Sequence, residues 1–165
     1  MRYTHCPDCG RILSARELGD EGLVPWCDDC HRPWFDSFST CIITAVMNGR
    51  GEVLLQRESR RPEMEVLVAG YIKPGESAED AAIREIAEET GLTATSLRYV
   101  GSWPHGGGDR LMLGFAAQAE GEAKPDSTEV VSARWATLDE AVAALRQGSI
   151  AQHVVMMLLA AQSPK

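Results

Sequence analysis

A chain of 165 residues is long enough for one core of ordinary size plus a small appendage. Its 24 acidic against 16 basic side chains give a net charge of −8, which argues against non-specific binding to a nucleic-acid backbone but leaves room for a phosphorylated small molecule bridged by metal ions. The opening MRYTHCPDCG has no apolar h-region and the longest apolar run, Val154 to Ala161, is too short for a bilayer, so a cytoplasmic protein with reduced cysteines and no membrane partner is expected.

Taken in order, the chain first shows Cys6, Cys9, Cys27 and Cys30 in a C-x2-C-x17-C-x2-C pattern, a spacing suited to one structural zinc ion held by four thiolates. Pro7 and Gly10 favour the tight turn such a knuckle needs. A segment this short cannot bury a core without the metal. His5 and His31 flank the knuckles and are read as surface residues. Pro33-Trp34-Phe35 marks the hinge, which divides the chain into a zinc ribbon over residues 1–35 and a main domain over 36–165.

The main domain opens with a buried strand over Thr40–Met47, a turn at Asn48-Gly49 and a returning strand over Glu52–Arg57. Cys41 starts an apolar strand and is read as core. Arg60 and Arg61 fall in a polar loop and are read as solvated. A short strand over Val66–Ala69 leads into GYIKPGESAEDAAIREIAEETGL, residues 70–92. Its second half is a predicted helix, with Ser77 as N-cap, Asp80 as its near partner and Gly91 as C′ residue. Ile83, Ile86, Ala87 and Thr90 recur at i, i+3, i+4 and i+7, which predicts one buried face. Glu85, Glu88 and Glu89, also at i, i+3 and i+4, are expected to converge within ~6 Å of one another. Carboxylates so placed repel unless a hard cation such as Mg²⁺ sits among them.

Beyond the helix, strands are predicted over Ser96–Ser102, Arg110–Gln118 and Val130–Trp135, the first two joined by a glycine-rich loop from Trp103 to Asp109. Thr137 with Glu140 starts a helix that Gly148 stops. Ser149 with Gln152 starts the last helix, whose Val154, Val155, Met157, Leu158 and Leu159 are read as core. This order of elements suits a mixed sheet between helices, an α/β fold.

The stretch from Gly70 through Glu76 to Arg84-Glu85-Ile86-Ala87-Glu88-Glu89-Thr90-Gly91-Leu92 resembles the box of the Nudix hydrolases, G-x5-E-x7-R-E-U-x-E-E-x-G-U, at all nine fixed positions. The resemblance implies an α/β/α sandwich for residues 36–165. It also implies hydrolysis of a nucleoside diphosphate linked to another moiety, with two to three Mg²⁺ or Mn²⁺ ions. By position Glu85, Glu88 and Glu89 would be metal ligands, Gly70 would offer its carbonyl, and Arg84 would orient a glutamate with Glu76 as its partner. The general base is left open between Glu89 and a more distant carboxylate.

A four-cysteine ribbon before such a domain is similar to the NADH pyrophosphatase branch. That likeness nominates Glu129, in Glu129-Val130-Val131-Ser132-Ala133-Arg134-Trp135, as a further metal ligand, and Tyr71 as the ring that packs on nicotinamide. Trp103 and His105 fall where the branch carries an aromatic substrate-binding array. Here that array reads Ser102-Trp103-Pro104-His105-Gly106-Gly107-Gly108, without the branch's Gln-Pro pair and with His105 in an aromatic position. The resemblance therefore implies cleavage of NAD(H) to two mononucleotides, with ADP-ribose, FAD or a nucleotide sugar as alternatives. The resemblance also implies a homodimer, since ribbon-bearing relatives are typically dimeric. A non-catalytic ligand-sensing module is the reading from a different class, and the acidic balance argues against RNA.

Overall fold

The computed structural model describes residues 3–124 and 128–162, in two compact units, Met1–Ser39 and Thr40–Lys165. The first unit is a small antiparallel sheet of β1 (Ser14–Glu17), β2 (Leu23–Cys27) and β3 (Arg32–Pro33). Among the described residues, its buried apolar side chains are Cys6, Val24 and Cys27. Trp34 packs within this unit, 5.6 Å from the Tyr3 ring and beneath the Arg32 guanidinium.

The second unit is built on a six-stranded sheet of β4 (Ser39–Met47), β5 (Val53–Glu58), β6 (Val68–Tyr71), β7 (Thr93–His105), β8 (Arg110–Glu120) and β9 (Val130–Ala136). The order is β7-β8-β4-β5-β9, with β6 also on β4. The pairs β4–β5, β4–β6, β5–β9 and β7–β8 run antiparallel. Strand alternation on β4 separates two apolar layers. Cys41, Ile43, Ala45 and Met47 face a cluster that includes Ala141 of α2 (Leu138–Ala144), Leu145 just beyond it, and Val154, Val155 and Leu158 of α3 (Ile150–Gln162). Ile42 and Val46 face clusters that hold Ala81, Ala82 and Ile86 of α1 (Ala78–Thr90). Helices thus cover both faces, and the expected α/β/α sandwich is the fold.

Caps explain where the helices start. Ser77 Oγ accepts the Asp80 N–H at 3.1 Å, and Thr137 with Glu140 forms a reciprocal capping box. Gly91 closes α1 at φ 70°, where an L side chain would be strained. Several expectations need correction. Met157, read as core of the last helix, is exposed, since the buried side of α3 runs through Val154, Val155 and Leu158. Ile83 and Ala87 are exposed, because the buried stripe of α1 runs through Ala82, Ile86, Glu89 and Thr90. α2 ends at Ala144 rather than near Gly148, since Leu145 turns extended and buries its side chain. Trp103, Pro104 and His105 continue β7, so the loop shrinks to a 3-10 turn at Gly106–Gly108.

One ion pair ties the approach to β6 onto β9. Arg134 donates to Glu65 at 2.7 and 2.6 Å, and this holds the Glu65 carboxyl below its usual value of 4.5 against the opposing effect of burial. A lowered folded-state value means the contribution is present above pH 4.5 and is lost as pH falls through the lowered value. Glu65→Gln is therefore expected to cost roughly 1 kcal/mol near neutrality, a modest figure because Arg134 is half exposed, and to flatten the acid limb of the stability profile. Urea unfolding across that pH range measures both.

Candidate active site

The strand–loop–helix junction is assembled around Arg84. Its Nε and Nη2 donate to Glu76 at 2.7 and 3.0 Å, Nη2 also reaches the Tyr71 carbonyl at 3.1 Å, and Nη1 donates to Glu85 at 2.6 Å and Glu88 at 2.9 Å. Arg84's hydrogen bonds, with help from the Lys73 N–H, hold the Glu76 carboxyl down to about 2. One guanidinium thus fixes the loop through Glu76 and orients two helix carboxylates. Gly70 is explained by the same junction. A Cβ there would collide with the Glu85 carboxylate, so only glycine lets Glu85 lie across the end of β6.

Glu89 is placed differently from its neighbours. It lies on the core-facing stripe of α1, is only 8% exposed, and accepts a hydrogen bond from Nε2 of Gln56 on β5. Burial pushes its carboxyl up to about 7; the Gln56 hydrogen bond opposes this, and the nearby charges of Glu85, Glu58 and Glu129 add to it. Gln56 is 1% exposed and its Oε1 has no partner among the described residues. Strand alternation puts Gln56 and Glu58 on the same face of β5.

These groups open onto one cavity of about 850 Å³. Glu58, Glu85, Glu88, Glu89 and Glu129 line it together with Arg60, Arg61, Lys73, Arg84 and Arg110, and Cys41, Ala69, Tyr71 and Met112 add an apolar wall. Gly70 and His105 line it as well. The structure therefore brings the box glutamates, Arg84, Gly70, Glu129, Tyr71 and His105 to one place. The expected tight cluster of Glu85, Glu88 and Glu89 is looser than helix spacing suggests, because Glu89 faces the core and Arg84 stands between the other two. Among the described residues, the cysteines form the one group of three or more metal-ligating atoms within 4.8 Å of one another.

Trp103 is not brought to this cavity, which corrects the expectation of a substrate contact. Its indole lies over Gly101 and Gly114, where a Cβ would stand 2.9 and 2.6 Å from the ring, and meets His153 of α3 edge-on at 5.3 Å. It packs against the α2–α3 side of the core. Glu58, Lys73 and Arg110 line the cavity and Gln56 lies buried behind it against Glu89; none of the four is singled out by the sequence. A polar residue inside the run Val53-Leu54-Leu55-Gln56 was the available signal for Gln56, since buried polar side chains need a reason.

The donor set fits hard divalent cations. It is all oxygen, crowded with like charge, includes a buried carboxylate raised toward neutrality, and is cradled where only glycine fits. Glu85, Glu88, Glu89, Glu129 and the Gly70 carbonyl could hold such ions. Gln56→Leu, which removes the donor that orients Glu89, is expected to weaken Mn²⁺ binding by about 10–100-fold in a direct titration.

The ribbon offers a second centre. Sγ of Cys6 lies 3.9 Å from that of Cys30, and Sγ of Cys9 lies 3.5 Å from that of Cys27. Four sulfurs ~2.3 Å from one tetrahedral ion would stand about 3.8 Å apart, so the set fits zinc. The Gly10 N–H donates to the Cys6 carbonyl at 2.9 Å and closes the first knuckle.

Known proteins resemble this chain in sequence and fold. The chain is 33% identical over 160 residues to "NAD-capped RNA hydrolase NudC" of Vibrio vulnificus (strain CMCP6), covering 96% of this chain and 59% of that protein. It is 36% identical over 162 residues to the protein of the same name from Pseudomonas aeruginosa (strain LESB58), covering 96% and 56%. The chain thus spans a little over half the length of these relatives. The crystal structure of a NUDIX hydrolase from Nitrosomonas europaea shares the fold, with a TM-score of 0.68 and 19% identity over 94% of this chain and 88% of that one. A sequence model of the NUDIX domain matches residues 38–158, and with the complete box at the β6–α1 junction it establishes that this chain belongs to the Nudix family.

Proposed function

We propose that the protein is a divalent-metal-dependent pyrophosphohydrolase that splits the diphosphate bridge of NAD(H), either free or as the cap of an RNA end. The observation that carries this reading is the cavity itself, where five carboxylates and five basic side chains face one space beside an apolar wall. Divalent ions bound there would neutralise the diphosphate and acidify the attacking water. The chain's own residues do the rest. Glu85, Glu88, Glu89 and Glu129 supply the negative charge that holds the ions, Arg84 orients Glu85 and Glu88, and Gln56 orients Glu89. Lys73, Arg60 and Arg61 draw in the phosphates. Tyr71, exposed at the end of β6, offers a ring for stacking.

In the reaction, water adds to one phosphorus, the bridging P–O bond breaks, and the bridge oxygen leaves with the other phosphate. The products are two nucleoside monophosphates. The names of the Vibrio and Pseudomonas relatives support NAD as the dinucleotide and allow a capped RNA end, despite the acidic balance. The ribbon's resemblance to a dimeric branch supports a cytoplasmic homodimer, which light scattering checks. No helix among the described residues is long and apolar enough to cross a membrane.

The test is a panel of NADH, NAD⁺, NAD-capped RNA, ADP-ribose, FAD and nucleoside triphosphates with Mg²⁺ or Mn²⁺. NAD(H), free or as a cap, is expected to give nicotinamide mononucleotide and an adenosine 5′-phosphate end. Preference for ADP-ribose or FAD would move the substrate, and no cleavage of any compound would overturn the reading.

A further inference from the structure

We infer that Arg110 forms a subsite for a phosphate that the substrate carries on a ribose, in addition to the two phosphates of its bridge. This rests on reading the cavity as a dinucleotide site. Arg84 and Arg110 are the partly buried arginines of the sheet unit. Arg84 is met by three carboxylates, whereas Arg110 has no carboxylate within ion-pair distance among the described residues. A partly desolvated, unpaired guanidinium is costly, and an incoming anion relieves that cost through charge-assisted hydrogen bonds.

The backbone is shaped to hold this side chain in place. Arg110 pairs with His105 across the end of the β7–β8 ladder, and Gly106, Gly107 and Gly108 close the turn at φ 64°, 72° and 97°. A Cβ on Gly106 would stand 3.3 Å from Arg110 Nη2 and 3.5 Å from Nε. The glycine therefore lets the guanidinium fold back against the turn. Its charge is felt at Cys41 on β4, the residue in register with Tyr71 on β6. Met112, two residues along β8 on the same face, completes an apolar wall with Cys41, Ala69 and Tyr71.

Arg110 and His105 thus edge the wall suited to a ring, while the carboxylates come from α1, β5 and the start of β9. Those carboxylates would hold divalent ions that offset the charge of the bridge. Arg110 remains for an anion elsewhere on the substrate. A ribose phosphate has two sources, the phosphomonoester of a 2′-phosphorylated dinucleotide and the 3′-phosphodiester that joins a dinucleotide cap to RNA.

Calorimetry on the full chain with AMP, adenosine 2′,5′-bisphosphate and adenosine 3′,5′-bisphosphate tests the subsite without requiring turnover. At least one bisphosphate is expected to bind about tenfold or more tightly than AMP, to lose that advantage in Arg110→Gln, and to keep part of it in Arg110→Lys. An advantage confined to the 2′ compound assigns a phosphorylated dinucleotide, and kcat/KM should then favour NADPH over NADH. An advantage confined to the 3′ compound assigns the RNA junction, and NAD-capped RNA should then outrun free NAD⁺. Equal binding of all three, or an advantage that survives Arg110→Gln, overturns the inference. If the advantage is found but no dinucleotide is cleaved, the pyrophosphohydrolase reading fails and the anion subsite stands.

Discussion

Glu88→Gln is expected to lower turnover by about two to three orders of magnitude while leaving the protein folded. The side chain is half exposed and faces the cavity, where it accepts from Arg84 at 2.9 Å and lies 4.0 Å from Lys73 Nζ. Pairs that open to solvent contribute about 0–1 kcal/mol, so losing this one should shift the melting temperature little. The substitution removes one formal charge and one anionic oxygen from the set that would hold the ions, and a neutral amide does not replace it. Steady-state rates at saturating Mg²⁺, beside a thermal melt of each protein, separate the two effects. A variant that turns over like the parent would remove Glu88 from the proposed ligand set.

Removing the metal from the ribbon should unfold residues 3–39 and leave the sheet unit in place. The ribbon buries too little apolar surface to stand alone, since Cys6, Val24 and Cys27 are its only buried apolar side chains among the described residues. Metal binding in such modules supplies about 10–16 kcal/mol of folding free energy, far more than those contacts can. Trp26 and Trp34 report on the ribbon, Trp103 and Trp135 on the sheet. Chelation is expected to raise amide exchange throughout the ribbon, to change the signals of Trp26 and Trp34, and to leave β4–β9 protected. Native mass spectrometry should find one zinc ion per chain. A chain that holds no zinc and keeps an ordered ribbon after chelation would contradict this account of the four cysteines.

The strand and helix pattern was largely legible because alternation and capping are local. Thr40–Met47 was read as a buried strand and is β4, and Ser77, Thr137 and Gly91 cap where their side chains or positive φ predict. What escaped the sequence depends on packing between elements. Glu89 reads as one of three solvent-facing acids, yet the stripe set by Ala82 and Ile86 turns it inward, and only the meeting of β5 with α1 gives it Gln56. Trp103 reads as a substrate ring because it falls where the resembling branch carries its aromatic array. Two glycines distant in sequence, Gly101 and Gly114, make the flat bed that draws it toward α3 instead. Arg110 reads as an ordinary strand start, and its lack of a carboxylate partner among the described residues is visible only in the folded arrangement.

Direct binding of Mn²⁺, followed by loss of the free-ion paramagnetic resonance signal, tests the central claim most directly. The zinc-loaded parent should bind Mn²⁺, and a protein in which Glu85, Glu88 and Glu89 are all glutamine should bind little while retaining its zinc and its fold. Equal Mn²⁺ binding by the two proteins would show that the acids of α1 do not form the metal site.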